Sequence, residues 1–301
     1  VSRSNSSATA NIAGAQINRG LGMNPSAAQG TQVTGIRSQP LKVTGLAAGG
    51  APGNLGLWIA PVVSQLENEL SASAYDGDSY SVLAGLDYKL GGKFVIGVAL
   101  GYEASNLDTT YNDGTFDSTG YTIAPYLGWA IGDNISVDAI FGYTMLENDV
   151  ERNKSTDTVT ASFDSARTLF SANLNYFPML GQWNISASVG YMYTEEDQDA
   201  YTENGGAGAS SLVDSNVYVG EIRAGAHIGY FYRKVEPYIS AYYLYDSTWN
   251  SDAEDRDEVE GTVGLNYYPN QNWTCGLEAT NSFLRDDFSN TRVLLNLRYN
   301  W

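Results

Sequence analysis

The chain has 301 residues, 43% of them hydrophobic and only 17% charged, and its formal net charge is −18. So acidic a chain is a poor partner for nucleic acid, whose phosphates are met by Lys and Arg. One cysteine, Cys275, excludes an internal disulfide, and one histidine, His227, excludes any site that needs two.

Soluble domains carry more charge, about 25%. Here charge gives way to 22 Tyr, six Trp and 32 Gly, a composition that suits a closed sheet with aromatic girdles. No apolar run approaches the ~18 residues of a membrane-crossing helix; Phe94 to Tyr102, among the longest, is interrupted by Gly97 and Gly101. That leaves the other structure able to cross a bilayer, the closed barrel, in which every backbone polar group is paired within the sheet. The chain opens on Val1 rather than Met, as expected of a processed or trimmed product.

Residues 1–52 are rich in Ser, Ala, Asn, Gln and Gly and show no strand alternation. Ala8–Asn18 is expected to be a short helix, with Ser6 or Ser7 as cap and Gly20 as stop. The rest, to Pro52, reads as linker. Two placements are open: a polar tail outside the barrel, or a plug threading its lumen. A twelve-strand barrel is wide enough inside for the second.

From Leu55 onward one unit repeats: about ten alternating residues, then a turn. In Lys93–Glu103, Phe94, Ile96, Val98, Leu100 and Tyr102 share one face, and Val95, Gly97, Ala99, Gly101 and Glu103 the other. Ile135–Met145 and Trp183–Tyr193 repeat the pattern, with Ile140 as an exception on the polar face. The reading is an all-β, twelve-stranded antiparallel transmembrane barrel of the outer-membrane type over residues 53–301. Its strands are expected near 55–66, 79–90, 93–106, 117–131, 135–148, 162–177, 182–195, 215–231, 234–247, 257–268, 272–284 and 290–301.

Short turns follow the even strands, at Gly91-Gly92, Gly132 to Asn134, Pro178 to Gly181, Tyr232-Arg233 and Pro269 to Gln271, and longer polar loops follow most odd strands. Outer-membrane barrels keep short turns in the periplasm and long loops outside. Both termini are therefore expected in the periplasm and the long loops outside the cell. The acidic stretches 195–199 and 252–258 read as solvated loops, without the ordered spacing of a calcium loop. Gly205-Gly206-Ala207-Gly208 lies in a loop rather than between strand and helix, so it is no phosphate cradle.

Parity sends the charged residues of the strands to the lumen. Candidate lumen or plug contacts are Glu103, Asp138, Arg167, Glu221, Arg223, His227, Arg292 and Arg298, on a wall shared with Asp87, Lys89, Glu236, Glu258, Glu260 and Glu278. Arg or Lys facing lipid near the midplane would cost about 2–4 kcal/mol. His227 falls low in the pore, away from the outer rim where barrel hydrolases work, so catalysis is not expected. No metal or cofactor motif is present.

In the last strand Val293, Leu295, Leu297, Tyr299 and Trp301 alternate outward and the chain stops on the aromatic. Leu297, Tyr299 and Trp301 resemble the signal read by the outer-membrane assembly machinery. Together with Gly56-Leu57-Trp58-Ile59-Ala60-Pro61, Ala84-Gly85-Leu86-Asp87-Tyr88 and Ile96 to Tyr102, they make residues 55–301 similar to the translocator domain of classical autotransporters (type V secretion). The resemblance implies a monomeric outer-membrane anchor, without cofactor or catalysis, that helps an N-terminal passenger to the cell surface and holds a linker helix in its pore. Its partners would be outer-membrane lipid, the barrel assembly machinery and that passenger. Self-cleaving members cut at paired asparagines, and residues 1–52 hold no Asn-Asn pair, so autocleavage is not expected. The rival reading is a stand-alone barrel, a channel or an adhesive surface protein.

Overall fold

A computed structural model describes residues 1–23 and 54–301, except 72, 155–156, 207, 250–254 and 287. Twelve long strands form one closed antiparallel barrel. They are β1 Leu55–Asn68, β2 Tyr75–Leu90, β3 Phe94–Thr109, β4 Gly114–Ile131, β5 Ile135–Lys154, β6 Asp157–Tyr176, β7 Trp183–Gln198, β8 Ser215–Tyr230, β9 Val235–Trp249, β10 Asp257–Tyr267, β11 Trp273–Phe283 and β12 Phe288–Asn300. Each pairs with its sequence neighbour, and β12 closes on β1 with Trp58 opposite Arg298. The seam ends in two hydrogen bonds: the Trp301 N–H donates to the Leu55 carbonyl at 3.0 Å, and the reverse bond is 3.2 Å.

The predicted strands all form, and their short-turn ends fall within a residue or two of expectation. Gly91, Gly92, Gly132 and Gly181 turn those ends with φ between 56° and 75°, the left-handed region that glycine enters without steric cost.

The opposite ends differ from the sequence reading. β5 and β6 run to Lys154 and from Asp157, and β3 and β4 are joined across residues 110–113. Much of what reads as polar loop is strand that overhangs the belt. In this overhang the alternation reverses its sense. Asp108, Asp117, Glu147, Asp149, Glu151 and Asp164 point out, while Leu66, Leu107, Leu146, Val159 and Phe163 are buried on the inward face. The 195–199 stretch is corrected in the same way. Glu195 to Gln198 belong to β7, and alternation turns Glu196 inward, where Ser165 and Arg167 meet it. Residues 252–254 of the other acidic stretch lie outside the described residues.

One long connection remains, 199–214, and it folds back over the overhang. Tyr201 stacks on Phe163 with ring centroids 4.5 Å apart, and Asn204 exchanges backbone hydrogen bonds with Thr160 at 2.8 and 2.9 Å. Glu203 accepts from the Arg152 guanidinium.

The first 23 residues form α1, Ser2–Leu21, ending on Gly22 at φ 73°. Against the expected Ala8–Asn18 it starts six residues earlier and ends three later. Ser6 and Ser7 cap nothing; Val1 holds the N-cap position without a side-chain bond. Serines and an asparagine in the first turns are weak helix formers, so the wall around them sustains this extension. The linker reading of the residues up to Pro52 lies outside the described residues.

Candidate functional site

α1 runs along the lumen. Its residues are buried almost all round, yet nearly half are Ser, Thr, Asn or Gln. A helix so polar cannot be buried in an apolar core without leaving groups unsatisfied; a polar lumen wall supplies their partners. Near the start, Ser4 accepts from Asn290 Nδ2 at 2.9 Å and Ser6 bonds Thr194 at 2.9 Å. Asn5 donates to Glu103 at 3.0 Å and accepts from Ser79 at 3.1 Å. Near the end, Asn18 accepts from Ser136 at 2.6 Å and Gln16 donates to Asn296 at 3.4 Å. Lys89 Nζ donates to the Leu21 carbonyl at 3.0 Å, placing a cation at the negative end of the helix dipole.

These contacts fix direction. Lys89 and Ser136 stand next to the short turns, whereas Glu196, Asp246 and Glu258, which meet Ser2 and Arg3, lie near the opposite strand ends. The helix therefore enters from the long-loop side and leaves on the short-turn side. The expectation of both termini at the short-turn end is thus corrected for Val1, because α1 spans the lumen before β1 begins. Trp301 and the start of β1 are at that end.

Apolar contacts add shape. Ile17 and Leu21 are buried with Ile140, Ala124 and Ala130 in one cluster. Ile140, the exception in the alternation of β5, is thus an inward apolar residue on the wall the helix packs against. A Cβ at Gly128 would come within 2.1 Å of Ile17 Cγ2; the missing side chain is the slot Ile17 fills. Wall residues use the same device among themselves. Trp58 covers Gly85, Tyr126 covers Gly97 and Tyr238 covers Gly264. Trp58 Nε1 donates to Tyr126 at 2.8 Å, and Tyr126 donates to Asp87 at 3.0 Å.

The predicted lumen residues all face inward, but not all reach the helix. Glu103 bonds Asn5, Glu221 pairs with Arg3 at 2.8 Å, and Arg298 donates to the Gln16 carbonyl at 3.3 Å while forking onto Asp87 at 2.6 and 2.8 Å. Asp138, held by Asn173 and Asn175, abuts Gly14. Arg167 bridges Glu103 and Glu196 behind the helix. Arg223 and Arg292 share Glu260 at 2.7 and 3.2 Å. His227 lies on Tyr238, ring centroids 4.6 Å apart, with Nε2 3.8 Å from Glu236. These last three line a polar cavity of about 220 Å³ beside the helix.

Sequence reasoning missed Arg3, Asp246 and Arg285. Asp246 falls on the inward parity of β9, and Arg3 is one of only two charges on α1; both signals were in the sequence. Arg285 lies at a strand corner where parity gives no direction. Of the terminal signal, Leu297 and Trp301 face outward, and Tyr299 stacks on Trp301 with ring centroids 5.4 Å apart and meets Trp273 at a tilt, at 4.8 Å.

A family model described as the autotransporter beta-domain matches residues 57–280. Among solved structures, the translocator domain of autotransporter NalP from Neisseria meningitidis is similar at 14% identity, covering 82% of this chain and 89% of that one, with a TM-score of 0.74. The beta domain of the Bordetella autotransporter BrkA is also 14% identical, covering 82% and 100%, with a TM-score of 0.71. The transport unit of AIDA-I from Escherichia coli is 13% identical, covering 93% and 99%, at 0.55. No curated protein sequence matches this chain. The match over most of the barrel, on a closed twelve-stranded fold, assigns the family: the chain belongs to the autotransporter beta-domain family, the outer-membrane translocators of passenger polypeptides.

Proposed function

We propose that this barrel sits with its short turns in the periplasm and its overhang outside the cell, and that α1 is the trailing segment of an exported chain. The direction of α1 carries the reading. A passenger joined before Val1 would leave the lumen on the overhang side, while the other end of α1, at Leu21, lies on the short-turn side where β1 begins. Residues 1–52 then serve as linker and plug, and 53–301 as the barrel. Glu103, Asp138, Glu221 and Arg298 hold the plug, and Arg167, Arg223, His227 and Arg292 keep the wall behind it hydrated and charge-balanced.

Leu297, Tyr299 and Trp301 act in assembly by the barrel machinery, and the finished barrel works as a monomer in outer-membrane lipid. It performs no chemistry of its own: its one histidine lies against Tyr238 and Glu236 in the wall of the cavity beside α1. The test is a protease-sensitive epitope fused before Val1, assayed on intact cells. Digestion by added protease is expected. An epitope protected until the outer membrane is opened would contradict the orientation and the export role together.

A further inference from the structure

This inference rests on the translocator reading and concerns where an outgoing chain stops. α1 carries two charges, Arg3 and Arg19, and no acid in its first turn. Arg3 therefore sits at the end where unpaired amide N–H groups already make a helix partially positive. Local physics disfavours a cation there, and the barrel supplies the compensation. Arg3 Nη2 lies 2.8 Å from Glu221 on β8, Nε 3.2 Å from Asp246 on β9, and Nη1 2.7 Å from Glu258 on β10. The three carboxylates are almost wholly buried. A register shift between Gly220 and Glu221 sets Glu221 directly opposite Asp246, an arrangement of like charges that is unfavourable without a cation between them. The barrel's own contribution is Arg285, 2.7 Å from Asp246 and 3.6 Å from Glu258. Without α1, Arg285 is the one guanidinium left in ion-pair contact with the three acids among the described residues, and it reaches Asp246 and Glu258 but not Glu221.

The helix is otherwise smooth at this end. Residues 4–11 are Ser, Asn, Ala or Thr, whose hydrogen bonds can be remade one turn away. We propose that Arg3 is the positioning residue of the lumenal segment: the Glu221–Asp246–Glu258 trio captures its guanidinium and thereby sets the register at which the exported chain comes to rest. Ile17 in the Gly128 slot marks the same register, and Leu21, four residues on, would enter that slot after a one-turn slide.

The test reads register by disulfide trapping in the barrel with an upstream passenger, in a C275S background. The Ser6 and Thr194 hydroxyl oxygens are 2.9 Å apart, so S6C/T194C is expected to cross-link efficiently. R3A should lower that yield about tenfold, well within what loss of a buried ion-pair partner can do. R3A/S7R should move the helix outward by about 6 Å, one turn, so that A10C/T194C cross-links instead. A structural role for Arg3 alone would not transfer the cross-link. Should R3A fail to fold, R3Q/E221Q/E258Q keeps the Arg285–Asp246 pair and removes the lock, and should lose the S6C/T194C cross-link. An unchanged S6C/T194C yield in folded, heat-modifiable R3A or R3Q/E221Q/E258Q, or no transfer to A10C/T194C, overturns the proposal. Surface display of the passenger is scored separately: its absence with Arg3 intact would sink the translocator reading, while the cross-links still judge the lock.

Discussion

The belt and the overhang are built from the same strands with the same side-chain parity, yet each is the other turned inside out. Along β5, Val137, Phe141 and Met145 face out and Asp138 and Thr144 face in; above them Glu147, Asp149 and Glu151 face out and Leu146 faces in. Along β3, Leu100 and Tyr102 give way outside to Asn106 and Asp108, and Glu103 gives way inside to Leu107. Backbone geometry is the same in both regions, so it cannot be the cause. Hydrocarbon outside and a polar lumen inside favour one sense. Water outside favours the other, as in a one-faced antiparallel sheet. The change between Met145 and Glu147 on β5, and between Tyr102 and Asn106 on β3, therefore marks where lipid ends.

The comparison breaks most visibly at the inward face of the belt. Arg298→Ala removes both charged hydrogen bonds to Asp87 and should cost about 3–5 kcal/mol, the penalty for stranding one half of a buried pair. Urea midpoints of barrels refolded into vesicles would show it, and a loss below about 1 kcal/mol would mean that water reaches Asp87 freely.

The inward face of the overhang should respond to the opposite chemistry. Phe163→Ala is expected to cost about 3 kcal/mol, but locally, because Phe163 holds Tyr201 rather than the barrel seam. Hydrogen exchange should quicken in 199–214 while the unfolding midpoint of the barrel stays put. A matching drop in that midpoint would make overhang and belt one cooperative unit.

On the outward faces the contrast is one of sign. Leu100, 61% exposed, lies on the outward face of the belt two residues before Tyr102, where arginine should cost about 2 kcal/mol. Glu147→Arg, a few residues higher on β5, should fall within about 0.5 kcal/mol of the parent. Equal costs would erase the boundary between the two regions.

This contrast also accounts for what was legible in the sequence. The belt was, because period-2 alternation against lipid is strict: strand order, closure and the inward placement of Glu103, Glu221 and Arg298 all follow from it. The overhang was not, since Asp149, Glu151, Thr158 and Thr160 read as polar loop until their inward neighbours Val159 and Phe163 are seen to share a small core. The helix was half legible. Ala8 to Asn18 carry the propensity for it, but Ser2 to Ser7 are helical only because Glu103, Thr194 and Asn290 satisfy them. Arg3 was passed over for the same reason, its partners lying more than two hundred residues along the chain.

The most direct test of this account is a spin-label scan of the odd-numbered positions of β5, from 135 to 153, in the refolded barrel in vesicles. Labels at 135 to 145 should relax with dissolved oxygen, which partitions into lipid. Those at 147 to 153 should relax with a water-soluble nickel chelate. Nickel access at every odd position would contradict the account, because the outward face of the belt would then be an ordinary wet surface.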